Sequence, residues 1–362
     1  MPTPRRNDRP ERTSRRFCRR PGARALLAAA AGAALAAAAA AQEVHWKSDA
    51  VFYGDNTEFF TPYRVGETIL GTWVTSSLVV ATGPRTEVGA GVYANLPTGE
   101  GGDNVVKPTF TFRYHTDTTQ WILGALQPAG RHGYLEPLEV TTLELTRPVE
   151  YGFEWIETRR GFSADVYLDW QHLNTPDSRE VFDYGIVVHG DVARFLTLEA
   201  QQHGLHHGGQ LYDVGPVTNN DVAAVGARVH GELPIAGESS LAAFRLYSSG
   251  KADPSGTGPT IRGSGTYLRG AVLPAGFIEV FGIWWQGRDF ITDEGDHNYG
   301  SVGSDPTFYR PDRSYQELGV VWKRTIEARI DVDLEARLHR IDGTVEYSYR
   351  FVARVPLDFR IH

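Results

Sequence analysis

The chain has 362 residues, with 36 Lys+Arg against 44 Asp+Glu, one Cys and one Met. A formal net charge of −8 argues against nucleic acid as a partner. The single Cys excludes a disulfide framework.

Residues 1–24 carry nine Arg and two acids, and residues 25–41 read ALLAAAAGAALAAAAAA. A basic n-region, an apolar h-region and the small-residue site Ala39-Ala40-Ala41 predict a secretory signal peptide over 1–41. A mature barrel is expected over 42–362. Without residues 1–41 the chain keeps 27 Lys+Arg and 42 Asp+Glu, for a net of −15 and no Cys. No run of 18 apolar residues follows, so no spanning helix is expected.

From residue 43 onward the dominant pattern has period 2. Val44, Trp46, Ala50 and Phe52 share one phase. Residues 87–96 set Val88, Ala90, Val92, Ala94 and Leu96 against polar or glycine positions. In 162–171, Phe162, Ala164, Val166, Leu168 and Trp170 alternate with Ser163, Asp165, Tyr167, Asp169 and Gln171. Residues 326–338 have helix-like composition, yet every even position is apolar and every odd one from Glu327 to His339 is ionisable. On a helix both types would appear all round; on a strand they separate cleanly. Val345 through Ile361 repeat the pattern to the C-terminus, which lacks the terminal aromatic of many such chains.

Long connections near 55–65, 97–106, 128–140, 173–180, 204–220, 250–263 and 289–313 alternate with short turns near 83–85, 116–119, 159–161, 191–193, 233–238, 274–276 and 324–326. A tight turn, Ile341-Asp342-Gly343, precedes the last strand. Long connections at one end and short turns at the other predict an all-β fold, a closed antiparallel transmembrane β-barrel of about 16 strands (14–18), with both termini periplasmic. A large soluble sandwich or propeller is the alternative, but open sheets rarely exceed about ten strands. Aromatics near strand ends, as in Tyr151–Trp155 and Tyr347–Phe351, fit interfacial girdles.

With these strands laid out, the chain resembles porin-like outer-membrane β-barrels. Gly54-Asp55-Asn56-Thr57-Glu58-Phe59-Phe60-Thr61-Pro62-Tyr63, Gly66-Glu67-Thr68, and Asp169-Trp170-Gln171 through Ser178-Arg179-Glu180-Val181-Phe182 resemble stretches of uncharacterised Gram-negative envelope barrels. The resemblance implies an outer-membrane location and no substrate.

A barrel of this size leaves room for water, so the inward face is where function is expected. Its candidate selectivity residues are Glu154, Asp165, Asp169 and Glu199 on one arc, and Glu327, Arg329, Asp331, Asp333, Glu335, Arg337, Arg350 and Arg354 on the other. Passive passage of small polar solutes is the expected role, with a loop-based binding or structural barrel second and a lipid-modifying enzyme third. The alternative for the charged face is a neutralised, hydrated wall.

His203, His206 and His207 could hold a divalent metal; the alternative is a wet glycine-rich loop. Within 289–313, Asp293, Glu294, Asp296, Tyr299, Phe308 and Tyr309 suit cation binding or sugar stacking, unless the loop folds inward. Ser163, with Asp165, His172 and His189 not far in sequence, is the catalytic candidate, but no G-x-S-x-G is present and no enzyme is expected. No cofactor is expected apart from a divalent cation at the outer loops. The expected partners are outer-membrane lipid, small polar solutes and the barrel-assembly machinery, with the barrel a monomer or a homotrimer.

Overall fold

The computed structural model describes residues 43–361 except 100, 101, 128, 129, 254 and 306; the signal peptide expected over 1–41 lies outside the described residues. Sixteen strands close into one antiparallel barrel in chain order, with the last strand pairing the first. They run β1 (Glu43–Glu58), β2 (Thr68–Gly83), β3 (Thr86–Pro97), β4 (Val105–His115), β5 (Thr119–Leu126), β6 (Glu150–Arg159), β7 (Phe162–His172), β8 (Glu180–Ala193), β9 (Leu196–Gly208), β10 (Thr218–Leu233), β11 (Gly237–Lys251), β12 (Thr260–Leu273), β13 (Ile278–Arg288), β14 (Asp312–Ile326), β15 (Ile330–Ile341) and β16 (Thr344–Arg360). Closure removes both sheet edges, which the bilayer requires of any spanning sheet.

Period 2 sets the two faces. Trp46, Phe52, Leu78, Leu123, Leu241 and Leu338 are exposed on the outside, where they meet lipid. At the closing seam, Trp46 stacks on Phe359 at 5.5 Å and Phe52 meets Phe351 edge-on at 5.8 Å. The outer hairpin Asp342-Gly343 has φ of 47° and 99°, as a two-residue primed turn requires.

Two boundaries differ from expectation. The β8–β9 turn falls at 194–195. The β14–β15 turn occupies 327–329, with Glu327 and Ala328 at φ 53° and 54°. The alternating stretch therefore begins as a turn, and Glu327 and Arg329 are exposed there; they are not lumen residues.

The larger departure is inside. The described residues of the connections 59–67, 127–149 and 289–311 fold inward as a plug. Leu138, Phe290 and Tyr299 sit fully buried against wall residues Leu246, Trp285 and Tyr315. Each such side chain contributes on the order of 2 kcal/mol by burial. The loops also bond to one another: Val140 N–H to Glu294 O at 2.8 Å, Asp296 N–H to Glu136 O at 2.8 Å, and Thr292 Oγ1 to Pro137 O at 2.8 Å. Asn220 on β10 fixes the third loop, donating to Ile291 O at 3.1 Å and accepting from Asp293 N–H at 2.9 Å. A glycine at 185 is required because a Cβ there would lie 1.9 Å from the Tyr134 hydroxyl of the plug. What remains open includes a cavity of about 530 Å³ lined by Asp49, Lys323, Asp331, Asp333, Arg350 and Arg354 among others.

Candidate active site in the plugged lumen

Two titratable centres occupy the lumen. The first lies on β14, β15 and β16. Alternation turns Tyr315, Glu317, Arg337, His339, Glu346 and Ser348 inward together. Ser348 Oγ lies 2.8 Å from His339 Nε2, and His339 Nδ1 lies 2.7 Å from the Tyr315 hydroxyl. The Tyr315 hydroxyl donates to Glu317 Oε2. One proton arrangement satisfies all three bonds: serine donates to Nε2, Nδ1–H donates to tyrosine, and tyrosine donates to the carboxylate. That leaves Nε2 as the acceptor for a serine proton, with the ring held by a buried relay.

Its surroundings are fixed from both sides. Tyr315, Glu317 and His339 are buried, and Ser348 is half-buried. Phe59 lies edge-on to His339 at 5.0 Å. Glu346 accepts the N–H groups of Phe60 and Thr61, both at 2.8 Å, which draws the β1–β2 connection over the centre. Ser348 pairs in register with Arg337 on one side and Thr57 on the other. Arg337 Nη1 reaches Glu317 at 3.0 Å and Glu136 of the plug at 2.5 Å. Burial alone would raise the Glu136 carboxyl; Arg337, Arg350 and Arg64 hold it below its ordinary range.

The second centre joins the plug to β6–β9. Arg131 pairs with Glu139 and Glu150. His132 stacks on Tyr167 at 3.6 Å, with Nδ1 2.9 Å from Asp165 and Nε2 3.1 Å from Glu150. Burial lowers that imidazole, but the two carboxylates outweigh it and bring it to about 10. Burial lifts Glu139 to about 7 despite Arg131. Arg131 and His132 hold φ of 47° and 63°, strain that packing must sustain. His203 Nε2 lies 3.3 Å from Glu294 and 3.5 Å from Asp183. Two acid–imidazole groups have a ligand-like spread: His132, Glu154, Asp165 and Glu139, Asp183, His203.

The sequence candidates divide between these places. Glu154 and Asp165 join the second centre. Asp169 accepts the Tyr151 N–H at 2.7 Å, and Glu199 binds Arg228 at 2.7 Å. Asp331, Asp333, Glu335, Arg337, Arg350 and Arg354 line the cavity. Although Arg350 and Arg354 stand opposite Glu335 and Asp331 on β15, they bond to Asp55 and Asp49 on β1, each with one contact at 3.0 Å.

The histidine triplet does not converge. His203 faces in, while His206 faces out and bonds Asn219 at 2.6 Å. His207 lies 3.4 Å from Thr218 Oγ1. An odd spacing on a strand puts His203 and His206 on opposite faces.

The long loop is not an exposed binding surface either. Asp293 is pushed up to about 6 by burial, Asp296 binds Arg64 at 2.5 Å, and Glu294 binds Arg147 at 2.7 Å. Tyr299 is fully buried, and Phe308 packs edge-on against Tyr63 at 5.0 Å. Tyr309 remains exposed and bonds Asp289.

Ser163 stands opposite His189 and Thr158 near the inner turn of β7, remote in the fold from the β14–β16 relay. The relay itself escaped pattern reading, although its register followed from the Asp342-Gly343 hairpin. Counting back from that turn places His339 opposite Glu346, two residues from Ser348.

These features define an outer-membrane β-barrel whose lumen is occupied by its own outer loops. The barrel is similar in fold to a loop-deleted OmpT of Vibrio cholerae, with a TM-score of 0.55 at 10% identity over 87% of this chain and 99% of that one. It is similar to OccAB1 of Acinetobacter baumannii, with a TM-score of 0.54 at 10% identity over 88% and 98%. An anion-selective porin from Comamonas acidovorans gives 0.50 at 12% identity over 87% and 98%. At such identities the likeness is one of fold, and it agrees with an outer-membrane location.

No curated protein matches the sequence. The lipid A 3′-O-deacylase-type family model matches residues 36–362, and the chain belongs to that family. This membership overturns the expectation that the chain is not an enzyme.

Proposed function

We propose that this protein is an outer-membrane ester hydrolase that removes an ester-linked acyl chain from a lipid A-type glycolipid. The observation that carries the reading is the hydrogen bond from Ser348 to His339, which continues through Tyr315 to Glu317 Oε2. The family supplies the substrate class. The plug counts against free passage of solutes, because its buried side chains fill lumen that a diffusion pore needs open.

In the proposed chemistry, Ser348 Oγ attacks the ester carbonyl while His339 Nε2 takes its proton. Collapse of the tetrahedral adduct breaks the ester C–O bond, and His339 returns the proton to the departing sugar hydroxyl. Water, deprotonated by the same nitrogen, then releases the fatty acid and restores Ser348. Arg337 and Arg350, the cross-strand and same-strand neighbours of Ser348, supply positive charge near the developing oxyanion. The two-residue β15–β16 hairpin makes the outer rim short beside this centre, which favours approach from the outer leaflet.

Incubation of the purified barrel with lipid A in mixed micelles should yield a product lighter by one acyl chain, with free fatty acid. Full turnover in Ser348→Ala, or in His339→Gln, would sink the assignment. Ser163→Ala serves as the control and should retain activity.

A further inference from the structure

We propose that Phe60, with Val345 and Tyr347 of β16, forms a docking surface for an acyl chain of an outer-leaflet lipid at the rim beside the Ser348 relay. The two neighbouring phenylalanines are placed differently. Phe59 is 6% exposed and packs edge-on against His339 at 5.0 Å. Phe60 is 81% exposed, so the described residues leave most of its ring uncovered.

This exposure belongs to a fixed segment. Glu346 is buried, and its carboxylate accepts the N–H groups of Phe60 and Thr61, both at 2.8 Å, and the Thr61 hydroxyl at 3.2 Å. Further along, Arg64 binds Asp296 at 2.5 Å, and Val65 N–H donates to Ser304 Oγ at 3.3 Å. The segment is tied to the wall at one end and to the 289–311 loop at the other.

The bond to Glu346 also sets the level of Phe60. Glu346 points inward from β16, so its neighbours Val345 and Tyr347 point outward, and both are exposed. Tyr347 stands opposite Leu338 of the lipid face and, across the seam, opposite Glu58. Phe60 is therefore held level with outward apolar residues close to the outer hairpin at 342–343. Tyr349 continues the exposed row along the wall. Tyrosines at strand ends mark the boundary between headgroups and hydrocarbon. A single exposed apolar side chain is ordinary on any surface. This set is continuous with the lipid-facing wall, and hydrocarbon is what a bilayer offers at that level.

The link to the reaction rests on the deacylase reading. Because Phe59 covers His339, a chain lying on Phe60 has its ester end near the cover over Ser348. Phe60 is then a specificity-determining contact for the acyl chain.

The test places a nitroxide on Phe60→Cys in a Cys18→Ala background, with the barrel in phosphatidylethanolamine vesicles containing lipid A. Leu123→Cys on the lipid face and Asp177→Cys on an outer loop calibrate the depth. The label at 60 should collide with O₂ in preference to a water-soluble nickel chelate, as the label at 123 does. The same depth is expected in Ser348→Ala, whether or not deacylation is confirmed, which separates the two readings. With lipid A in mixed micelles, Phe60→Asp should raise KM by about tenfold or more, the order expected for losing one buried phenyl ring, and Phe60→Trp should recover most of it. A label at 60 as open to the nickel chelate as the one at 177 would overturn the proposal. So would spin–spin broadening between labels at 60, which would put a second copy of the chain there, or an unchanged KM in Phe60→Asp.

Discussion

The relay at Ser348 and the network at Asp183 are built from the same residue types, yet their bonding differs. Around His339 each linking donor has one acceptor, and a single proton arrangement satisfies the chain. Around Asp183 the contacts are longer and shared: its Oδ2 lies 3.5 Å from His203, 3.7 Å from Arg147 and 4.0 Å from Arg131. A relay of linked donors and acceptors is set to move a proton; an acid-rich network bridged by two arginines and an imidazole is set to hold the plug against the wall. The contrast arises from origin. The relay comes from three adjacent strands in fixed register, whereas the pocket combines two loops with the wall, so its geometry depends on how they dock.

The largest expected effect breaks the relay at its head. Ser348→Ala should lower kcat by about 10³-fold or more, as loss of a covalent nucleophile does, with the barrel fold unchanged by circular dichroism. Retained turnover would move the chemistry elsewhere. A smaller loss is expected at the relay's middle. Tyr315→Phe removes the bridge between His339 and Glu317 but leaves Ser348 and Nε2 in place. A fall in kcat of about 10–100-fold is expected, with KM nearly constant. If KM rises instead while kcat holds, Tyr315 positions substrate and not the imidazole.

The pocket side responds to pH through His132, outside the spanning strands. Its imidazole titrates near 10 in the folded protein against about 6.5 unfolded. A raised folded value means that this stabilisation is complete below pH ~6.5 and is lost as pH rises through 10. Cleavage within 127–149 by an alkaline-active protease should therefore accelerate between pH 8 and 10, and His132→Gln should flatten that profile. An unchanged profile in the variant would assign the alkaline loosening to other groups.

The wall was legible because one period governs it. Trp46, Leu123 and Leu338 announce lipid by alternation alone, and turn parity gave the strand number. The plug was not legible, because local pattern carries no record of a loop's destination. Gly, Pro and acids in 289–311 read as surface, yet Phe290 and Tyr299 are fully buried. Their partners, Trp285 and Tyr315, flank the loop in sequence, but inward orientation follows only once the lumen has something to fill it. The active-site candidate falls between these cases. His339 and Ser348 follow from hairpin register, whereas Tyr315 and Glu317 require β14 to be aligned as well. Ser163 drew attention as a serine near acids in sequence; what the chemistry requires is a hydroxyl within bonding distance of an imidazole.

The smallest effect tests the correction at 327–329. If these residues were lumen strand, removing a charge there would alter the interior. Placed in the inner turn, Glu327 instead carries a φ of 53°, which a Cβ disfavours and glycine does not. Glu327→Gly should therefore be neutral or stabilising by up to about 1 kcal/mol, a gain set against the extra freedom glycine has in the unfolded chain. Arg329→Ala should stay within about 0.5 kcal/mol of wild type. Neither should change deacylation. Unfolding in urea with lipid micelles reads the stability directly. A loss above 1 kcal/mol in Glu327→Gly would mean that the side chain makes a contact beyond the turn.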